Sequence, residues 1–179
     1  MNMFMKKIHF EVDDTIKASS IRKAILKKYK NYSINKANII VVIGGDGFML
    51  KTLKKYQKYN KEFYGMNRGT YGFLMNKYKL NNIYKNISTA KTITISPLEM
   101  HAIKKDNKKI SAIGINEVSL LRQSKQTASL QISNGKKIII KKLISDGVLI
   151  STPAGSTAYN LSVHGPILSL NSKKLAITP

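Results

Sequence analysis

The stretch Asn38-Ile39-Ile40-Val41-Val42-Ile43-Gly44-Gly45-Asp46-Gly47-Phe48-Met49-Leu50 decides how this chain is read. Five β-branched residues in a row, Ile39 to Ile43, run into Gly-Gly-Asp-Gly. A short apolar run bounded by glycines reads as a buried strand of a parallel sheet. Beyond it Met49, Leu53 and Tyr56 recur at helical spacing, so the order is strand, glycine turn, helix. The first N–H groups of such a helix are unpaired and its dipole favours negative charge, which suits a phosphate. Gly44, Gly45 and Gly47 let the backbone approach a ligand closely. Asp46 is the odd member, since a carboxylate between apolar flanks is costly to desolvate and would repel a bare phosphate. It belongs there if it holds a metal ion or accepts a proton from an attacking hydroxyl. The plainer reading is a strand-to-helix turn with Asp46 as N-cap, and this stretch alone leaves both open.

Working outward, Ile8-His9-Phe10 reads as a short first strand. Asp13 or Asp14 caps a helix over about residues 15–30, with Ile21, Ile25 and Tyr29 on one face. After the central helix, Glu62 to Asn67 is a further strand. It ends in Arg68-Gly69-Thr70-Tyr71-Gly72-Phe73-Leu74, a second glycine-punctuated turn, where Arg68 stands either against a phosphate or in solvent. A polar helix runs from about Leu80 to Ser88. Alternating strands and helices imply a Rossmann-like parallel α/β domain with right-handed crossovers and ligands at the carboxyl ends of its strands. Both glycine turns fall at those ends.

From Thr92 the pattern changes to short β-type runs: Thr92–Ser96, Leu98–Lys104, Lys109–Leu121, Ala128–Ser133, Lys136–Lys142 and Gly147–Ser151. Asp106-Asn107 and Asn134-Gly135 are hairpin-turn signals. The expectation is a second, all-β domain, an antiparallel sandwich, with domains over 1–96 and 97–179. Its last part, Ser145-Asp146-Gly147 through Pro166, runs a strand into a loop dense in hydroxyls and small residues, with Tyr159 among them. Such a loop can hydrogen-bond a ribose and base, or can be a turn with Ser156 or Thr157 capping a short helix.

The chain has 179 residues and no cysteine, which excludes disulfides and thiolate metal sites and fits a reducing cytoplasm. No apolar run approaches the roughly 18 residues of a membrane span, and the N-terminus lacks a signal-peptide apolar segment. The net charge is +22, but of 31 basic residues only Arg22, Arg68 and Arg122 are arginine. Dispersed lysines read as solvated faces rather than a specific nucleic-acid reader, which favours the arginine fork; a positive surface still attracts nucleotides. Of nine acidic residues, three lie in apolar-and-glycine contexts: Asp46, Glu117 and Asp146. Half-buried acids of this kind are functional candidates. His9, His101 and His164 lack metal-ligand spacing.

Taken together, Gly44-Gly45-Asp46-Gly47, Gly65-Met66-Asn67-Arg68-Gly69 with Gly72-Phe73-Leu74, Asn116-Glu117, and Asp146-Gly147 through Ser162 closely resemble NAD kinases. The glycine turn is shared with lipid kinases and phosphofructokinases; Asn116-Glu117 followed by Thr152-Pro153-Ala154-Gly155-Ser156-Thr157-Ala158-Tyr159 is the specific part. The resemblance implies phosphoryl transfer from ATP, or in some members polyphosphate, to the 2′-hydroxyl of the adenosine ribose of NAD. By that resemblance Asp46 is the proton acceptor, and Gly47 with its neighbours Gly44 and Gly45 presents backbone N–H groups to phosphate; Arg68 stays a phosphate candidate by its place beside the second glycine turn. Asp46, Gly47, Asn116, Glu117, Asp146, Thr157, Ala158, Tyr159, Asn160, Leu161 and Ser162 bind NAD. Mg²⁺ accompanies ATP, with no metal site evident in the spacing. A cytoplasmic homo-oligomer, with no specific nucleic-acid or membrane partner, is expected. Many family members carry a basic residue where Ile144 stands, which puts one NAD or subunit contact in doubt. The resemblance also implies further β-strands after Pro179, so the chain is expected to be C-terminally shortened and less stable than a longer relative. The competing expectations are a lipid kinase with the same turn, a remnant that only binds nucleotide, and a basic RNA-binding protein.

Overall fold

The computed structural model describes residues 6–14, 18–68 and 72–179. The expected start of the first helix and Gly69-Thr70-Tyr71 of the second glycine turn lie outside the described residues. The chain divides into two compact units, Met1–Lys91 and Thr92–Pro179.

The first unit comprises β1 (Ile8–Val12), α1 (Ala18–Lys28), β2 (Ile39–Gly44), α2 (Asp46–Tyr56), β3 (Glu62–Asn67), β4 (Asn76–Lys77) and α3 (Ile83–Ser88). The strands lie in the order β1-β2-β3-β4 and every pairing is parallel. All six residues of β2 are buried, which is why its sequence shows an unbroken apolar run instead of alternation. On one face Ile39, Val41 and Ile43 pack with Ile21 and Ile25 of α1 and with Ile83 and Ile87 of α3. On the other, Ile40 and Val42 pack with Met49 and Tyr56 of α2. The steps from β1 to β2 and from β2 to β3 go the same way across the sheet, yet their helices cover opposite faces. The two crossovers therefore differ in hand, which corrects the expectation of uniformly right-handed connections.

The second unit is antiparallel throughout. β5 (Leu98–Ile103) and β6 (Lys109–Gly114) form one hairpin; β8 (Ala128–Asn134) and β9 (Lys137–Ser145) form another. β7 (Glu117–Leu121), β10 (Gly147–Ser151) and β11 (Ala176–Thr178) form a three-stranded sheet with β10 central, and α4 (Tyr159–Ser162) follows β10. The expected turn signals sit at the hairpin loops, where Asn107 and Gly135 take left-handed φ values of 62° and 58°. Two expectations change. Thr92–Ser96 forms no strand. The run Lys109–Leu121 breaks into two strands at Ile115-Asn116, whose carbonyls accept the Thr152 hydroxyl and the Thr152 N–H, both at 2.8 Å, in place of ladder bonds. No described helix is long and apolar enough to cross a membrane.

Candidate functional site

In the first unit the chain leaves β2 at Gly44 and enters α2 at Asp46, with Gly45 as N-cap in extended backbone. Asp46 is thus the first helical residue and not the cap, so its side chain is released from the plainer role. The half-buried carboxylate accepts the Phe73 N–H at 2.7 Å through Oδ2 and the Leu74 N–H at 3.2 Å through Oδ1. The second glycine turn therefore holds the acid of the first. A Cβ on Gly72 would stand 2.9 Å from Asp46 Oδ1, so glycine is what lets the two turns close. Among the described residues nothing lies within 4 Å of where a Cβ on Gly45 or Gly47 would be, which leaves open backbone at the helix start. The N–H groups of Asp46 and Gly47 have no carbonyl partner among the described residues. Gly44, by contrast, is packed under Phe48, whose Cδ1 would be 2.9 Å from an added Cβ. Arg68 ties its N–H to the Gly44 carbonyl at 2.9 Å and lays its guanidinium over the Tyr78 ring, 4.6 Å from the centroid.

In the second unit the corner between β6 and β7 carries Asn116 and Glu117. The loop after β10 is built against it: a Cβ on Gly155 would strike the Asn116 backbone, and the Gly155 N–H donates to Thr152 Oγ1 at 3.1 Å. With the backbone so fixed, Asn116 Oδ1 and Glu117 Oε2 are buried and have no hydrogen-bond partner among the described residues. Burial pushes the Glu117 carboxyl above its ordinary range. Buried acceptors are nearly always paired, so two orphans on adjacent residues are what a ligand's N–H or O–H donors would complete.

The loop residues separate into two groups. Thr157 and Ala158 are half-buried, and Tyr159, Leu161 and Ser162 are exposed. Asn160 is wholly buried: its amide donates to the Pro166 carbonyl at 2.9 Å and accepts the Thr178 hydroxyl at 2.8 Å. The Asn160 side chain, expected at the ligand, braces the loop from inside. Ser156 is no cap either; it is buried, donating to the Pro153 carbonyl at 2.7 Å and accepting the Leu168 N–H at 3.0 Å. The N-cap of α4 is Ala158. Asp146, expected half-buried, is exposed, and its Oδ1 accepts Arg122 Nε at 2.5 Å. It lies at the bend between β9 and β10, where apolar flanks belong to the strands and not to the bend.

Residue-by-residue reading missed Arg122, although its rarity as an arginine was a signal. It also missed Glu11. This strand acid sits beneath the end of α2, accepting the Tyr56 hydroxyl, Lys55 Nζ at 3.1 Å and His9 Nε2 at 3.2 Å. Burial raises the Glu11 carboxyl, but the Tyr56, Lys55 and His9 contacts outweigh it and hold it below the ordinary value. The period-two spacing of His9 and Glu11 was the available clue.

The structure thus defines a two-unit α/β-plus-β protein with an acid-bearing glycine turn in one unit and an unsatisfied polar pair in the other. The ATP-NAD kinase N-terminal domain matches residues 1–92 and the ATP-NAD kinase C-terminal domain residues 115–179. A Mesorhizobium japonicum NAD kinase is 46% identical over all 179 residues, and a Brucella suis NAD kinase 45% identical over 172. The chain belongs to the NAD kinase family. It spans 70% and 67% of the lengths of those two relatives. Two solved structures share its fold. Yeast NADH kinase complexed with NADH has a TM-score of 0.73 at 22% identity, covering 98% of this chain and 65% of its own. An Archaeoglobus fulgidus NAD kinase in complex with ATP has a TM-score of 0.69 at 20% identity, covering 96% and 71%.

Proposed function

We propose that this chain is an NAD kinase that transfers a phosphoryl group from ATP to the 2′-hydroxyl of the adenosine ribose of NAD, giving NADP. The observation that carries the reading is the pair of orphaned acceptors, Asn116 Oδ1 and Glu117 Oε2, on the two residues most specific to the family. An adenosine offers hydroxyl and amino donors to both. Thr157, Ala158, Tyr159, Leu161 and Ser162 line the rest of the dinucleotide site. Asn160 and the Arg122–Asp146 pair hold the chain around it. Asp46 accepts the proton of the ribose hydroxyl as the O–P bond forms and ADP leaves. The Phe73 and Leu74 N–H groups keep its carboxylate aimed, and such positioning is most of what phosphoryl transfer asks of a protein. The N–H groups of Asp46 and Gly47, with Arg68, receive phosphate oxygens.

Among the described residues no three His, Cys, Asp or Glu side chains form a metal site. Mg²⁺ bound with the nucleotide would offset phosphate charge, and Asp46 is the carboxylate at the glycine turn that could contribute a ligand to it. A homo-oligomeric, cytoplasmic enzyme is the accompanying expectation, and sedimentation measures the assembly.

The test is incubation with NAD, ATP and Mg²⁺, read as NADP. Asp46→Asn should lose about 10²- to 10⁴-fold in turnover, the range for a proton acceptor, while melting near the parent. Absence of NADP together with no NAD binding would overturn the proposal. Near-parent turnover of Asp46→Asn would overturn the role of Asp46.

A further inference from the structure

We infer that Met75 is a positioning residue for Asp46: with Met49 it fills a hollow at Gly65 and so holds the Phe73 and Leu74 N–H groups on the carboxylate. The inference rests on the kinase reading above, in which Asp46 takes the ribose proton. Gly65 is buried and pairs with Val42 in the β2–β3 register, so it lies on the face of the sheet that α2 covers. A glycine inside a strand leaves room for other atoms to approach the backbone closely. Two thioether side chains take that room. A Cβ on Gly65 would collide with Met75 Sδ, and would stand 2.6 Å from Met49 Cε and 3.2 Å from the Leu74 carbonyl oxygen. Met49 is buried and comes three positions after Asp46, on the same side of α2. Met75 directly follows the two residues whose N–H groups donate to Asp46. The helix that bears the acid and the segment that bears its donors therefore meet through their methionines over one glycine. That segment is held on both sides of the donors. Before them, Gly72 closes on Met75, whose Cβ and Cγ would be 3.1 and 3.2 Å from a Cβ added there. After them, the Asn76 amide donates to the Gly65 carbonyl at 3.1 Å, and Asn76 pairs with Met66. Phe73 is exposed, so its own side chain does not anchor its N–H; Leu74 and Met75 are what pack the segment on the core beneath α2.

The experiment compares the parent with Met75→Ala, Met75→Leu and Gly65→Ala, reading kcat, KM for ATP and NAD, melting temperature, and the NMR amide resonances of Phe73 and Leu74 with and without Asp46→Asn. Met75→Ala should lower kcat about 10- to 100-fold, as for an acid held about an ångström out of place, with both KM values within about twofold of the parent. Met75→Leu conserves volume and should bring kcat back to within about threefold. Gly65→Ala displaces the flexible ends of the two methionines and the Leu74 carbonyl, so it should lower kcat as Met75→Ala does while melting closer to the parent. In the parent, Asp46→Asn should shift both amide resonances, because their acceptor changes; in Met75→Ala and Gly65→Ala that response should be largely lost. A Met75→Ala variant that melts lower yet keeps the parental kcat would make Met75 a core filler and overturn the inference, as would a loss of rate carried by KM instead of kcat. Should Met75→Ala fail to fold, Gly65→Ala decides: a parental kcat, or an undiminished amide response to Asp46→Asn, overturns it equally. A folded parent that makes no NADP sinks the kinase reading alone, and the amide response still decides what holds Asp46.

Discussion

Replacing Glu117 by Gln separates what this residue does for the free chain from what it does for a bound dinucleotide. Its Oε2 is buried without a partner, and burial raises its carboxyl. Leaving a buried polar group unpaired costs about 1–3 kcal/mol, and more when it is charged. Glutamine keeps the shape and removes the charge, yet its amide is still incompletely paired, so a net gain of about 1 kcal/mol is expected. For a chain of this size that is about 2–4 °C in melting temperature. A ligand hydroxyl bonded to a carboxylate contributes about 1.5–3 kcal/mol, so the same change should weaken NAD binding by about tenfold or more. The signature is an opposite pair: a higher melting point without NAD and a smaller upward shift with it. The pH dependence has a definite sign. A carboxyl raised by folding carries no penalty where it is protonated in both states; the penalty builds as pH rises above the unfolded value and is complete above the folded one. The melting advantage of Glu117→Gln should therefore be larger at neutral pH than in acid. Thermal melts at both pH values, with and without NAD, measure it. A variant that melts below the parent at the higher pH and binds NAD as the parent does would refute the reasoning, and would make Glu117 a structural residue.

Gly72→Ala puts a methyl 2.9 Å from Asp46 Oδ1 and 3.1 Å from Met75 Cβ, so the carboxylate must move; kcat should fall about 10²-fold with NAD and ATP affinity retained. A parental kcat would show that the clamp on Asp46 is dispensable. Glu11→Gln weakens three contacts to a carboxylate and should cost about 1–3 kcal/mol at neutral pH by urea denaturation. Because folding lowers that carboxyl, its contribution is present above the unfolded value and lost as pH falls through the folded one, so parent and variant should converge in acid. Asn160→Ala leaves the Thr178 hydroxyl and Pro166 carbonyl unpaired inside the second unit and should destabilise it by about 2–4 kcal/mol, with NAD affinity of the folded protein preserved. Parental stability with tenfold weaker NAD binding would instead place Asn160 on the ligand.

How much of this was legible depended on whether the cause was local. β2 could be read because burial on both faces forces an uninterrupted apolar run, and the Asn134-Gly135 hairpin because a positive φ needs glycine there. The partners of Asp46 could not, since a hydrogen bond across 27 positions leaves no local trace. Crossover hand was equally hidden: α1 and α2 show similar amphipathic patterns, and which face of the sheet each covers is settled by packing alone. Asp146 misled because apolar neighbours in sequence do not say whether a bend residue points inward. The Asn116-Glu117 corner emerged from family resemblance; by periodicity it was part of one long strand.

Asn160 and Asn116 show why a hydroxyl- and amide-rich loop is ambiguous on paper. The residue types that satisfy buried backbone are the ones that recognise a ribose, so only the state of their hydrogen bonds distinguishes them. Thr152, Ser156 and Asn160 use their polar atoms on the protein's own carbonyls and hydroxyls, which makes the turn self-supporting. That support presses Gly155 against the Asn116 backbone and fixes the corner. Asn116 Oδ1 and Glu117 Oε2 are then held out of water without partners, and the chain tolerates a deficit that any local relaxation into solvent would remove. The satisfied residues are thus the reason the unsatisfied pair stays unsatisfied, and that rigidity would give the proposed dinucleotide site its preorganisation.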